Sequence, residues 1–82
     1  MTIEELLKAC STGQMPKVEI KEQPKHAASR IGQVVAIKCD TTVNRFRGCA
    51  VKFPGMEYDL WFYAEPGTDK RSHYMDELTL VK

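Results

Sequence analysis

No long apolar run interrupts the 82-residue sequence: Leu60 to Ala64 is the longest at five residues, followed by Val34 to Ile37 at four. A helix crossing a bilayer needs about 20 in succession, so none is expected. Met1 to Cys10 mixes charged with apolar residues and has no continuous hydrophobic stretch, so a secretory leader is not expected either. Cysteine is scarce and odd in number. Cys10, Cys39 and Cys49 stand far apart, a pattern that suits free thiols in a reducing cytoplasm better than a disulfide framework. No CxxC or HxxxH pair supplies the closely spaced ligands of a zinc knuckle, so neither a metal nor a cofactor is expected. GxSxG, GxGxxG and P-loop patterns are absent, and neither His26 nor His73 stands in sequence beside a nucleophile with an orienting carboxylate. The expectation is therefore a protein that is not an enzyme. Charge of one sign is missing too. Twelve Lys and Arg against eleven Asp and Glu leave a net charge of +1, which disfavours a histone-like condenser, an acidic nucleic-acid mimic and a disordered polyelectrolyte.

What is present reads as a single domain spanning residues 1–82, because a chain this short has no room for a second core. Residues 1–13 predict a helix. Thr2 precedes an apolar stripe formed by Ile3, Leu6, Leu7 and Cys10, Glu5 completes a capping box, and Gly13 supplies a left-handed stop. After Pro16 the period changes to two. Lys17 to Lys21 alternates strictly, Pro24 to Gly32 reads as a loop, and Gln33 to Asp40 predicts a central strand with Val35, Ile37 and Cys39 on one face, Val35 and Ile37 being core candidates, and the partly apolar Val34, Ala36 and Lys38 on the other. Asp40 to Gly48 reads as an extended polar connection with Arg45 and Arg47 on one side. Cys49, Val51 and Phe53 then point inward, with Lys52 outward, before the Pro54-Gly55 turn. Leu60 to Ala64 predicts the next strand, followed by a Pro66-Gly67 turn and a charged loop, Thr68 to Ser72. Tyr74 to Leu78 suits one helical or 3₁₀ turn, and Thr79 to Val81 a closing strand.

One helix and about five short strands, with no helix long enough for a parallel crossover, predict an α+β, mainly β, fold: a short N-terminal helix before a five-stranded antiparallel barrel over residues 17–82. Three stretches resemble an SH3-like barrel: Gly32-Gln33-Val34-Val35, Gly48-Cys49-Ala50-Val51-Lys52-Phe53, and Met75-Asp76-Glu77-Leu78 leading into Thr79-Leu80-Val81. That group includes Tudor-like readers, KOW-type RNA-binding modules and the plasmid-encoded type II dihydrofolate reductases. The reductases carry their reactive surface on a Val-Gln-Ile-Tyr stretch before the closing turn. Here the stretch is Arg71-Ser72-His73-Tyr74, so only the tyrosine is kept and the reductase activity is not implied.

Asp59-Leu60-Trp61-Phe62-Tyr63 is the most informative segment, since alternation sends Leu60 and Phe62 to one face and Trp61 and Tyr63 to the other. If Leu60 and Phe62 are core, Trp61 and Tyr63 lie outside, with Tyr58 or Tyr74 nearby. They then either accept the apolar stripe of the N-terminal helix or meet a ligand. Charge is segregated as well: residues 17–52 sum to +5 and residues 53–82 to −3. Lys38, Arg45, Arg47 and Lys52 could gather on one side of a sheet, or simply form a solvated strand face. The expected function is a non-catalytic binding module acting through Trp61, Tyr63, Tyr58, Arg45, Arg47 and Lys52, with a protein as partner. Two alternatives stand beside it: an RNA- or single-stranded-DNA-binding module, and a small-ligand or minor catalytic site at a homo-oligomer interface. By analogy with other compact single-domain chains, a mobile genetic element is the expected setting.

Overall fold

The computed structural model describes residues 1–65 and 72–81. Helix α1 is Ile3–Cys10. Strands β1 Lys17–Ile20, β2 Ile31–Asp40, β3 Arg45–Lys52, β4 Leu60–Tyr63, β5 His73–Tyr74 and β6 Leu78–Leu80 follow, with a 3₁₀ turn, Met75–Glu77, between the last two. The expected Pro66-Gly67 turn and residues 68–71 of the charged loop lie outside the described residues.

The helix starts where its cap dictates. The Thr2 hydroxyl accepts from the Glu5 N–H and the Glu5 carboxylate accepts from the Thr2 N–H, both at 3.1 Å, so two otherwise unpaired amides are satisfied reciprocally. Leu6 is fully buried in the core, with Met1, Ile3 and Cys10 packed around it. The N-terminal amine donates to the carbonyls of Met75 and Leu78 at 2.9 and 2.5 Å, fixing the start of α1 to the 3₁₀ turn.

All six strands form one sheet in the order β5-β4-β3-β2-β1-β6. Every neighbouring pair is antiparallel except β4 with β5, where Phe62 and Tyr63 run parallel to His73 and Tyr74. The expected five-stranded antiparallel barrel is thus corrected to a curled six-stranded half-barrel, not a closed five-stranded one. Two residues are too few to show alternation, so β5 left no period in the sequence to read. Val18, Ile20, Val34, Val51, Phe53 and Phe62 line the concave side, where Phe53 and Phe62 meet edge to face with centroids 6.3 Å apart. Leu6, Met75 and Leu78 complete this core from the helix and the closing segment.

Two register shifts govern the long β2–β3 hairpin. Val34 pairs with Val51 but Ala36 with Ala50, so Val35 is an extra residue on β2; Lys38 pairs with Gly48 but Cys39 with Phe46, so Arg47 is extra on β3. The expected inward set is corrected accordingly. Val34 is buried, Val35 is 42% exposed, Ile37 still packs on the core, and Cys39 is exposed. Nor is 40–48 an extended connection: β3 begins at Arg45, and a tight turn joins it to β2.

Gly48 sits beside the second shift with φ +151°, and a Cβ there would lie 2.0 Å from the Phe62 carbonyl oxygen. Backbone cannot yield as a flexible side chain can. Gly48→Ala is therefore expected to lower unfolding free energy by about 3 kcal/mol in urea denaturation. Gly13→Ala, which meets open space at φ +87°, should cost about 1 kcal/mol. Equal losses at the two positions would contradict this account of Gly48.

Candidate functional site

Alternation along β4 settles which way its aromatics face. Phe62 is fully buried and Leu60 packs on the core, so Trp61 and Tyr63 occupy the outer, convex side. Leu6 of α1 lies in the same core as Phe62, so the helix fills the concave side and does not cover Trp61. In register, Trp61 stands opposite Ala50 and Tyr63 opposite Gly48, so the two bulky rings neighbour the smallest residues of β3. The β5 pairing sets Tyr74 beside Tyr63. The result is a row of rings: Trp61 meets Tyr63 edge-on with centroids 6.4 Å apart, and Tyr63 meets Tyr74 at 6.2 Å and 47°. Lys38 of β2 holds its Nζ 4.9 Å from the Trp61 ring centre, a cation–π contact at the end of the row.

The other sequence-predicted residues divide. Tyr58 is 64% exposed in the β3–β4 loop, makes no ring contact among the described residues, and lines a depression with His26 and Met56 instead of joining the row. Arg45 pairs with Glu65, and Arg47 with Asp40 at 3.2 Å, so both guanidinium groups are engaged by carboxylates of the same chain. Lys52 shares the outer face with Ala50, two residues away, and forms no ion pair among the described residues. The structure therefore brings Trp61, Tyr63 and Lys52 to one face, adds Tyr74 and Lys38, and leaves Tyr58 apart.

Sequence reasoning missed a second feature of that face. A shallow groove of about 530 Å³ runs past Ile31, Val35 and Met56, with Lys17 and Lys52 among its lining residues. Ile31 and Val35 are 41% and 42% exposed. The doubled valine at 34–35 was the available signal, since two successive apolar residues in an alternating strand allow a bulge.

Among the described residues no three His, Cys, Asp or Glu side chains converge as metal ligands, and no helix is long and apolar enough to cross a membrane. All three cysteines are free. Burial pushes the Cys49 thiol up to about 11, with the nearby Cys10 adding to the effect. Asp40 is held below its ordinary value of 3.8, first by the Thr42 N–H that its carboxylate accepts at 3.0 Å and then by Arg47.

The chain matches no protein-family model, and no curated protein or solved structure shows significant similarity to it.

Two measurements check these assignments. In the native protein, exposed Cys39 should react with iodoacetamide while buried Cys49 is modified only on unfolding; early labelling of Cys49 would contradict its placement. For Asp40 the folded chain binds its proton less tightly than the unfolded chain, so the turn's contribution to stability is full above 3.8 and is lost as pH falls through the lower folded value. The Thr42 amide shift should titrate with a midpoint below 3.8, and Arg47→Gln should raise that midpoint only in part, because the backbone bond is the larger cause.

Proposed function

We propose that this chain is a non-catalytic binding module of the SH3-like barrel group, which engages a protein partner through the convex face of its half-barrel. The observation that carries the reading is the outward row of Trp61, Tyr63 and Tyr74 with Lys38 at its end. Flat amphipathic rings already held against one another lose little entropy on binding and deliver large contact area, which is the usual chemistry of an interface anchor. The 3₁₀ turn before β6 and the return of β6 to β1 support the SH3-like assignment. Three free thiols are in keeping with a reducing cytoplasm.

A protein partner is favoured over RNA or single-stranded DNA because of how the arginines are spent. Phosphate binding would draw on Arg45 and Arg47, and both already face carboxylates. The ring that would stack a base, Trp61, has Lys38 against it.

The single tryptophan is the reporter. Trp61 emission should be accessible to acrylamide and unchanged by a mixed-sequence single-stranded oligonucleotide at low salt. Against peptides selected from a random library for binding to the protein, Trp61→Ala should weaken affinity roughly tenfold or more, while Arg45→Ala and Arg47→Ala change it little. Far-UV circular dichroism of Trp61→Ala should match the parent, since Trp61 is outside the core. Quenching by the oligonucleotide that fades as salt rises would replace this reading with the nucleic-acid one.

A further inference from the structure

The groove beside the aromatic row has a built-in spacing. Lys17 of β1, Gln33 of β2 and Lys52 of β3 stand side by side in register, Gln33 pairing with both lysines. Adjacent strands lie about 4.8 Å apart, so the two lysines straddle Gln33 at roughly 10 Å, close to the span of three residues of a polyproline II segment, in which positions three apart share one side. Ile31 and Val35 lie to either side of Gln33 along β2, one before it and one after it, and Met56 closes the groove from the loop. The result is an apolar trough between two cations. No carboxylate lines it, and neither lysine has an ion-pair partner among the described residues.

The Gln33 side chain is not the recognition group. Its amide donates to the carbonyls of Met15, Pro16 and Val34 at 2.8 to 3.1 Å, which ties the segment before β1 to β2 and holds the trough floor in place.

We infer that this groove receives an acidic segment of the partner protein: two carboxylates three residues apart, set on Lys17 and Lys52, around an apolar side chain seated against Ile31, Val35 and Met56. The inference rests on the convex-face reading above and specifies the chemistry of the partner. Charge complementarity selects the occupant. A second copy docked symmetrically on this face would bring lysine onto lysine. A nucleic acid would find aliphatic walls in the groove, whose one aromatic lining residue, Phe53, is fully buried and offers no exposed ring face on which to stack a base.

The test uses peptides selected from a random library on the full chain and mapped by amide chemical shifts. The expected result is enrichment of peptides with two Asp or Glu three positions apart around an aliphatic or aromatic residue, with shifts at Ile31, Gln33 and Val35. Val35→Glu should weaken these peptides at least tenfold. The double variant Lys17→Glu, Lys52→Glu should select basic peptides instead, a change of preference that mere unfolding would not produce. Acidic peptides that shift only Trp61, Tyr63 and Tyr74 would overturn the groove and leave the aromatic interface standing. Loss of binding in Val35→Glu with no effect of Trp61→Ala would keep the groove and overturn the aromatic reading. Enrichment of neutral or basic sequences, or of none, would overturn the groove outright.

Discussion

The extra residue at Val35 is the constraint on which the rest of this structure depends. An unbroken strand from Ile31 to Asp40 would keep one parity inward throughout; the bulge changes that parity once, so Gly32 and Val34 face the core before it and Ile37 after it. The change of parity has three consequences. It exposes Val35 as a wall of the outer groove, it turns Lys38 outward where it can reach Trp61, and it adds the local twist that lets a six-stranded sheet curl around Phe53 and Phe62. Gly48 answers it on the facing strand, where only a residue without a side chain can approach the Phe62 carbonyl so closely.

Alternation made much of this legible. Val18 and Ile20, and Cys49, Val51 and Phe53 lie on the side their period assigned, Leu60 and Phe62 share one face as alternation required, and the helix begins at the capping box written in Thr2 and Glu5. What failed to show were events of one or two residues. A bulge leaves at most a faint mark, here the doubled valine at 34–35, and it sets the parity on one side against the other, so a period anchored on Ile37 misplaces Val34 and Val35. The short β5 pairing was equally silent. It is nevertheless what puts Tyr74 next to Tyr63, so a tyrosine 11 positions away in sequence joins the row while Tyr58, only five away, does not.

Charge segregation along the chain also proved a poor guide to the surface. The basic character of residues 17–52 suggested a patch led by arginines, yet folding sets Arg30 against Glu19, Arg45 against Glu65 and Arg47 against Asp40. Arginine's planar fork finds carboxylates readily, and these exposed pairs contribute little to stability. Their effect is on the distribution of surface charge instead. Among the described residues they leave the lysines as the cations without an ion pair, and of these Lys17, Lys38 and Lys52 stand on successive strands, a placement that could be read only from the register.

The geometry of a thin half-barrel explains why the core packs on the concave face and not the convex one. The molecule measures 35 × 32 × 20 Å, so its short dimension accommodates little more than a sheet and one layer packed upon it. That layer is α1 with the 3₁₀ turn, anchored by Leu6, Met75 and the bonds of the N-terminal amine, and it occupies the concave side. A ligand-sized interior cavity would have to displace this core, which a small domain could not spare. Among the described residues the opposite face carries no such layer. Its half-exposed rings and aliphatic side chains are not forced there by a need to fill the core, because the core is complete without them. Apolar groups on a solvent face cost solubility and contribute little to folding, and their concentration on this side, between lysines with no ion pair among the described residues, is the feature on which the proposed partner surface rests.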